Sequence, residues 1–165
     1  MQPKQVKLLA SYNRWMNERL YAVCSDIPDT ERKQDRGAFF RSIHGTLNHL
    51  LLADRIWLGR FENEPFQVDG LDSELYADFS ELRSERALTD QRIEHWAAGI
   101  TEEDLSGKLH YTGVTNPAPQ ALEMWIAVTH FFNHQTHHRG QLTALLSQCG
   151  REYGVTDLIL LPDML

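Results

Sequence analysis

The spacing of apolar residues divides the chain into four segments with the period of an α-helix, separated by polar connections. Residues 3–25 begin with Pro3, which suits a first helical turn, and place Val6, Leu9, Asn13, Met16, Leu20 and Cys24 on one face until Ile27-Pro28 ends the pattern. Residues 36–61 repeat Phe39, Ile43, Leu47, Leu50, Trp57 and Phe61 at helical intervals before the turn-forming ENEPFQVDG. With Ser73 as its N-cap, a third and more polar helix carries Leu75, Phe79, Leu82, Arg86, Ile93 and Trp96 to Gly99. Thr101 and Asp104 read as a one-turn capping box, after which KLHYTGV looks extended and a fourth helix is expected from Asn116-Pro117 to Gly150. The tail from Arg151 is too short for a second domain and is expected to fold back over the helices. With no repeat or strand ladder visible, the pattern predicts one all-α domain over 1–165, a four-helix bundle whose third connection covers one end.

Composition narrows the partners more than the fold. At 165 residues and 42% hydrophobic content the chain can bury a real core. Its net charge of −7 argues against nucleic acid and anionic membranes, because a duplex binder needs a basic face to displace phosphate counterions. The first residues, MQPKQVKLLASYNRW, lack the apolar run of a secretory signal, and no segment approaches a membrane span, so a cytoplasmic protein is expected. Cys24 and Cys149, far apart and in no CxxC arrangement, read as reduced core residues.

The chemistry concentrates in NHQTHHRGQ, residues 133–141, which puts three of the eight histidines into the middle of the fourth helix. At about 100° per residue, His138 projects onto the apolar face set by Val128, Phe131, Leu142 and Leu145, and His134 lies at its edge. His130 and His137 point more than about 100° away from that face, towards water or another chain. The i, i+4 pair His134 and His138 can bridge one ion, but two imidazoles need a third ligand. In the second helix, His49 shares a stripe with Leu52, Ala53 and Ile56, whereas His44 sides with Arg41, Asn48 and Arg55, so His49 is the inward one. Single buried histidines are usually core residues satisfied by neighbours; three on two facing helices favour a metal.

The segments TLNHLLLADRIWLGRF (46–61) and HFFNHQTHHRGQLTALLSQCG (130–150), with YNRWMN (12–17) and GVTDLI near the ends, resemble the DinB/YfiT-like family of bacterial four-helix-bundle proteins over essentially the whole chain. Carried over position by position, the metal triad of that family falls on His49, His134 and His138. The resemblance also implies an up-down-down-up bundle, a divalent ion such as nickel or zinc, a homodimer, and kinship with thiol transferases that use low-molecular-weight thiols.

Three neutral imidazoles suit zinc, nickel, iron or copper and leave a coordination position open, as in catalytic rather than structural sites. Histidine ligands usually donate their second N–H to a partner, and Asn13, Asn17 and Gln141 are candidates; the asparagines are also readable as residues satisfied by backbone or water, and Gln141 as a solvated or interface residue. Gly140 suggests the close approach of another helix or chain, and Arg139 an ion pair away from the triad. Trp125 and Phe132, on the far side of the fourth helix from the triad, suggest a dimer surface. Two readings stand: a metal-dependent enzyme of thiol-transferase or hydrolase-like type, its catalytic residues unassigned, and a non-catalytic protein whose ion is structural or sensory.

Overall fold

A computed structural model describes residues 1–116 and 118–162. Helix α1 spans Pro3–Ser25, as the periodicity predicts. Its end is closed by Arg32, a buried side chain on the single-turn helix α2 (Asp29–Arg32) that donates to the carbonyl of Cys24, at 2.9 Å, and to that of Ile27 just beyond the helix.

The second long helix, α3, runs from Ile43 to Phe61, seven residues later in starting than predicted. Ser42 fixes the start by accepting the Gly45 N–H at 3.0 Å, and the preceding residues cannot be helical because Gly37 and Arg41 have φ values of 69° and 64°. Helix α4, Phe79–Gly99, also begins later than expected. Its cap is Asp78, which accepts from Glu81 N–H at 2.9 Å, and not Ser73. Residues 75 and 76 stay out of the helix because Asn48 on α3 accepts both of their N–H groups, at 2.9 and 3.0 Å.

Helix α5, Glu102–Ser106, forms on the expected Thr101–Asp104 capping box. Strand β1 (Lys108–Thr112) then pairs antiparallel with β2 (Pro119–Glu123), Lys108 facing Glu123 and Thr112 facing Pro119. This ladder was not visible in the sequence, since Ala121, Leu122 and Glu123 are good helix formers, and it shortens the last long helix, α6, to Met124–Gln148. The expected start at Asn116-Pro117 fails at Asn116, which is not helical, while Pro117 lies outside the described residues. The tail does fold back: Tyr12 Oη donates to the Thr156 carbonyl at 2.5 Å, Arg19 to the Tyr153 carbonyl at 3.2 Å, and Leu161 is buried beyond a 3-10 turn at Leu158–Leu160.

The fold is thus mostly helical with one small sheet. Helix α1 packs on α4 and α6, and α3 packs on α4 and α6. Two apolar clusters fill the interior. One gathers Met16 and Leu20 with Ile43, Leu47, Leu82, Leu142 and Leu146. The other gathers Val6 and Ala10 with Leu58, Ile93, Val128 and Phe131. Where the two clusters meet, each long helix contributes buried polar residues: Asn13 and Asn17 on α1, Asp54 on α3, Arg86 and Asp90 on α4, Gln135 and Arg139 on α6. Arg86 bridges Asp54 at 2.7 Å and Asp90 at 2.9 Å, which supplies both carboxylates with the partner that burial demands.

Candidate metal centre

Near this polar layer, α3 and α6 bring three imidazoles together. His134 and His138 are one turn apart on α6 and face His49 on α3. The His134 Nε2 atom lies 3.1 Å from His138 Nε2 and 3.4 Å from His49 Nε2, and the ligand atoms of all three lie within 4.8 Å of one another.

The outer nitrogens settle the direction of the inner lone pairs. His49 Nδ1 is 3.0 Å from the Leu71 carbonyl, an acceptor only, so Nδ1 carries the proton and Nε2 presents a lone pair. His138 Nδ1 is 2.7 Å from Gln141 Oε1, which assigns the same tautomer. A neutral His134 could donate from Nε2 to one of these neighbours but not to both. A lone pair therefore remains directed at the centre, where a cation would satisfy it. Two nitrogens bound to one ion at about 2.1 Å and about 90–110° are roughly 3.0–3.4 Å apart, so the two close pairs fit and a modest ring rotation brings in the third. Among the described residues His134 Nδ1 has no hydrogen-bond partner.

Burial keeps these rings neutral. Desolvation pushes His49 down to about 4, against the pull of the Leu71 carbonyl, and His134 down to about 3, helped by the neighbouring imidazoles. His138 is lowered by the same cause while the Gln141 hydrogen bond raises it. Neutral imidazole is the metal-binding form.

The rings open onto a cavity of about 1250 Å³ whose walls include Lys33, Asp35, Phe39, Phe40, Leu71, Asp72, Glu74, His137 and Gln141. Asp72 and Glu74 reach the cavity from the connection between α3 and α4, and Asp35 from the one before α3, so loops that carry no periodic signal supply them.

Other expectations need correction. Asn13 and Asn17 do not support the rings: their amides donate to Asp90, at 3.4 and 2.9 Å, within the polar layer. The partner of His49 is instead a backbone carbonyl, for which no residue type could have been a signal. His44 is buried like His49, its Nε2 2.9 Å from the Tyr76 carbonyl, because the connection to α4 covers the side of α3 that His44 shares with Asn48 and Arg55, so His49 is not the only inward histidine of this helix. Arg139 is buried and donates to Asn13, with Thr136 at 3.4 Å, and makes no ion pair among the described residues. Phe132 belongs to the core, whereas Trp125 is 46% exposed. A side chain at Gly140 would meet nothing within 4 Å, so no helix of this chain approaches it. His130 and His137 are exposed, as projected.

Comparison with known proteins agrees with the mostly helical fold. The sequence profile of the DinB family matches residues 1–164. The chain is 25% identical over 155 residues to Protein DinB of Bacillus subtilis (strain 168), covering 90% of this chain and 88% of that protein. It is similar in fold to the crystal structure of a DinB-like protein from Bacillus cereus ATCC 10987, with a TM-score of 0.63, 18% identity, and coverage of 85% and 89% of the two chains.

Proposed function

We propose that this chain, which belongs to the DinB family, holds one divalent metal ion on His49, His134 and His138 and uses it as a metal-dependent enzyme of thiol-transferase type. The observation that carries this reading is the convergence of imidazole nitrogens at a cavity large enough for a small molecule. Nickel and zinc suit the three imidazoles best, with iron and other divalent ions compatible. Such an ion supplies Lewis acidity, lowering the pKa of a thiol or water that reaches it.

The chain's own residues supply orientation. Leu71 and Gln141 fix the ring tautomers of His49 and His138, and Phe40, stacked on His49 at 3.7 Å between ring centres, excludes water from one side. Glu74 and Asp72 offer carboxylates that can take a proton from a substrate in the cavity. The four long helices suit the family's up-down-down-up bundle: α1 and α6 run from the cluster containing Val6 and Val128 to the one containing Met16 and Leu142, and α3 and α4 run the other way. A homodimer is part of the same proposal, with Trp125 and Ile126 exposed side by side on the first turn of α6.

Elemental analysis of protein isolated without a metal-affinity tag, followed by conjugation of low-molecular-weight thiols to a generic electrophile, tests the reading. Stoichiometric metal and rates above background in the wild type, absent after chelation and in His49→Ala, are expected. One feature favours the alternative of a structural ion: the three ligands tie α3 to α6, so an ion there would also cross-link the fold. A melting temperature that falls on chelation, with thiol conjugation at background throughout, would select that alternative.

A further inference from the structure

The segment before α3 is built at some cost to hold two aromatic rings over the site. Arg41 adopts φ 64° without being glycine, a conformation that persists only where its surroundings impose it. Here the Arg36 N–H reaches the Arg41 carbonyl at 2.8 Å, the Arg41 N–H reaches the Ala38 carbonyl at 2.8 Å, and Asp35 accepts from Gly37 N–H at 2.9 Å. Gly45, inside the first turn of α3, completes the seat: a Cβ there would collide with the Phe40 carbonyl oxygen. The result is Phe40 stacked on His49 at an interplanar angle of 17° and edge-on to His138, with ring centres 5.3 Å apart.

Phe39 stands on this base, its ring 4.8 Å from that of Phe40 and edge-on at 75°, yet it is 83% exposed. Little of that ring's hydrophobic value is realised in folding. It lines the same cavity as the triad, as does the 44% exposed Leu71, whose carbonyl holds His49. The rest of the wall is largely charged or polar, from Lys33, Arg41, Asp72 and Glu74 to Gln141.

We infer that Phe39, with Leu71, forms an apolar subsite that determines specificity: the small molecule whose polar end reaches the three histidines carries an aromatic or branched apolar group that packs on Phe39. This rests on the metal-site reading above. Phe39 is named as a specificity residue and not a catalytic one, because its contact is with a remote part of the substrate.

The test uses the metal-loaded full chain and two probes that share a thiol, phenylmethanethiol and ethanethiol, with affinities measured by calorimetry. The wild type is expected to bind the aromatic probe about tenfold more tightly, the scale of one good aromatic contact with its burial. Phe39→Ala should reduce the preference to about twofold or less, with metal content unchanged, and Phe39→Leu should keep most of it. Equal preference in wild type and Phe39→Ala, no preference in the wild type, or loss of the ion in Phe39→Ala would each overturn the inference. Failure of both probes to bind metal-loaded wild type would overturn the thiol-transferase reading of the site and the subsite with it, whereas binding of both without discrimination would remove the subsite alone.

Discussion

The interior of this protein holds two polar regions that differ in one respect. In the layer formed by Arg86, Asp54, Asp90, Gln135, Asn13 and Arg139, both carboxylates find a cation in the chain itself and the amides donate within the layer: Arg86 faces both carboxylates, Asn17 also donates to Asp90, Gln135 donates to Asp54 and to the Leu50 carbonyl while its own Oε1 stays unpaired, and Arg139, which has no ion pair among the described residues, donates to Asn13. In the histidine cluster the outer nitrogens of His49 and His138 are satisfied and the inner ones are left facing one another beside a cavity. Buried polar groups that close on themselves hold a fold; those whose lone pairs converge on a shared point are arranged for something added later.

Substitution in the two regions should therefore move different quantities. The largest effect is expected for Asp54→Ala, which strips a fully buried guanidinium of one of its two anions and leaves Gln135 only the Leu50 carbonyl as an acceptor. Loss of one partner of a buried pair costs about 3–5 kcal/mol, so urea unfolding of this variant should show a loss of that order. A change under about 1 kcal/mol would mean that water or a rearranged side chain compensates Arg86. His138→Ala makes the opposite pattern: metal stoichiometry should collapse from about one ion per chain, while the metal-free variant unfolds close to metal-free wild type. Simultaneous loss of metal and of metal-free stability would erase the distinction between the regions.

Gln141→Ala comes next. It removes the acceptor that fixes the His138 tautomer without removing a ligand, and outer partners of this kind are worth roughly 10–100-fold in metal affinity. Competition with a chelator of known affinity measures it, and an unchanged affinity would show that water replaces the amide.

The contrast between the regions also explains what could be read from sequence. His49, His134 and His138 were legible because helical phase places them on facing apolar stripes of α3 and α6, which are regular where these residues lie, although the same phase set aside His44, which the connection to α4 buries. Asn13 and Asn17 were visible as polar residues on an apolar face, but their assignment to the rings failed because phase gives direction and not depth. The partners that would have revealed it, Asp90 on α4 and Arg139 on α6, are distant in sequence. Helix starts failed at positions 36 and 73 for a further reason: Ser42, Asp78 and Asn48 each capture backbone N–H groups through side-chain oxygens, and such local competition leaves the hydrophobic period unchanged. Phe39 continued that period in the sequence and stands exposed in the structure.

The response to pH separates the regions further. For the histidines, desolvation favours the neutral form, with His49 at about 4 and His134 at about 3, against an unfolded value of roughly 6.5. The unfolded chain then binds more protons, so this contribution to stability is complete above about pH 6.5 and is lost progressively as pH falls towards 4. Asp54, raised to about 6 by burial against the pull of Arg86, works in the opposite direction over part of the same range, because protonation relieves its burial. Metal affinity isolates the histidines from this opposing effect. Protons compete only as pH approaches the folded values, so affinity should change little from pH 7 to about 5.5 and decline below that. A steep loss beginning near pH 6.5 would show that the rings are solvated like ordinary surface histidines.

The smallest expected effect is the most direct check on the boundary of the site. His137 is the sequence neighbour of His138, its ring centre is 4.8 Å from that of His138, and it lines the same cavity. It is nevertheless exposed, and its Nε2 lies 3.3 Å from the Gln141 amide nitrogen instead of facing His134. An exposed residue with one weak contact contributes within about ±0.5 kcal/mol, so His137→Ala should unfold like wild type and retain about one ion per chain. His130→Ala should do the same, since His130 packs against Trp57, with ring centres 4.9 Å apart, at the exposed edge of α6. Elemental analysis of His130→Ala, His137→Ala and His138→Ala, prepared side by side, then separates proximity from direction. If all three lost the ion equally, nearness of a ring to the cluster would suffice and the phase of α6 would have been misread. Retention in the first two and loss in the third would mean that an imidazole counts as a ligand here only when the helix aims it inward.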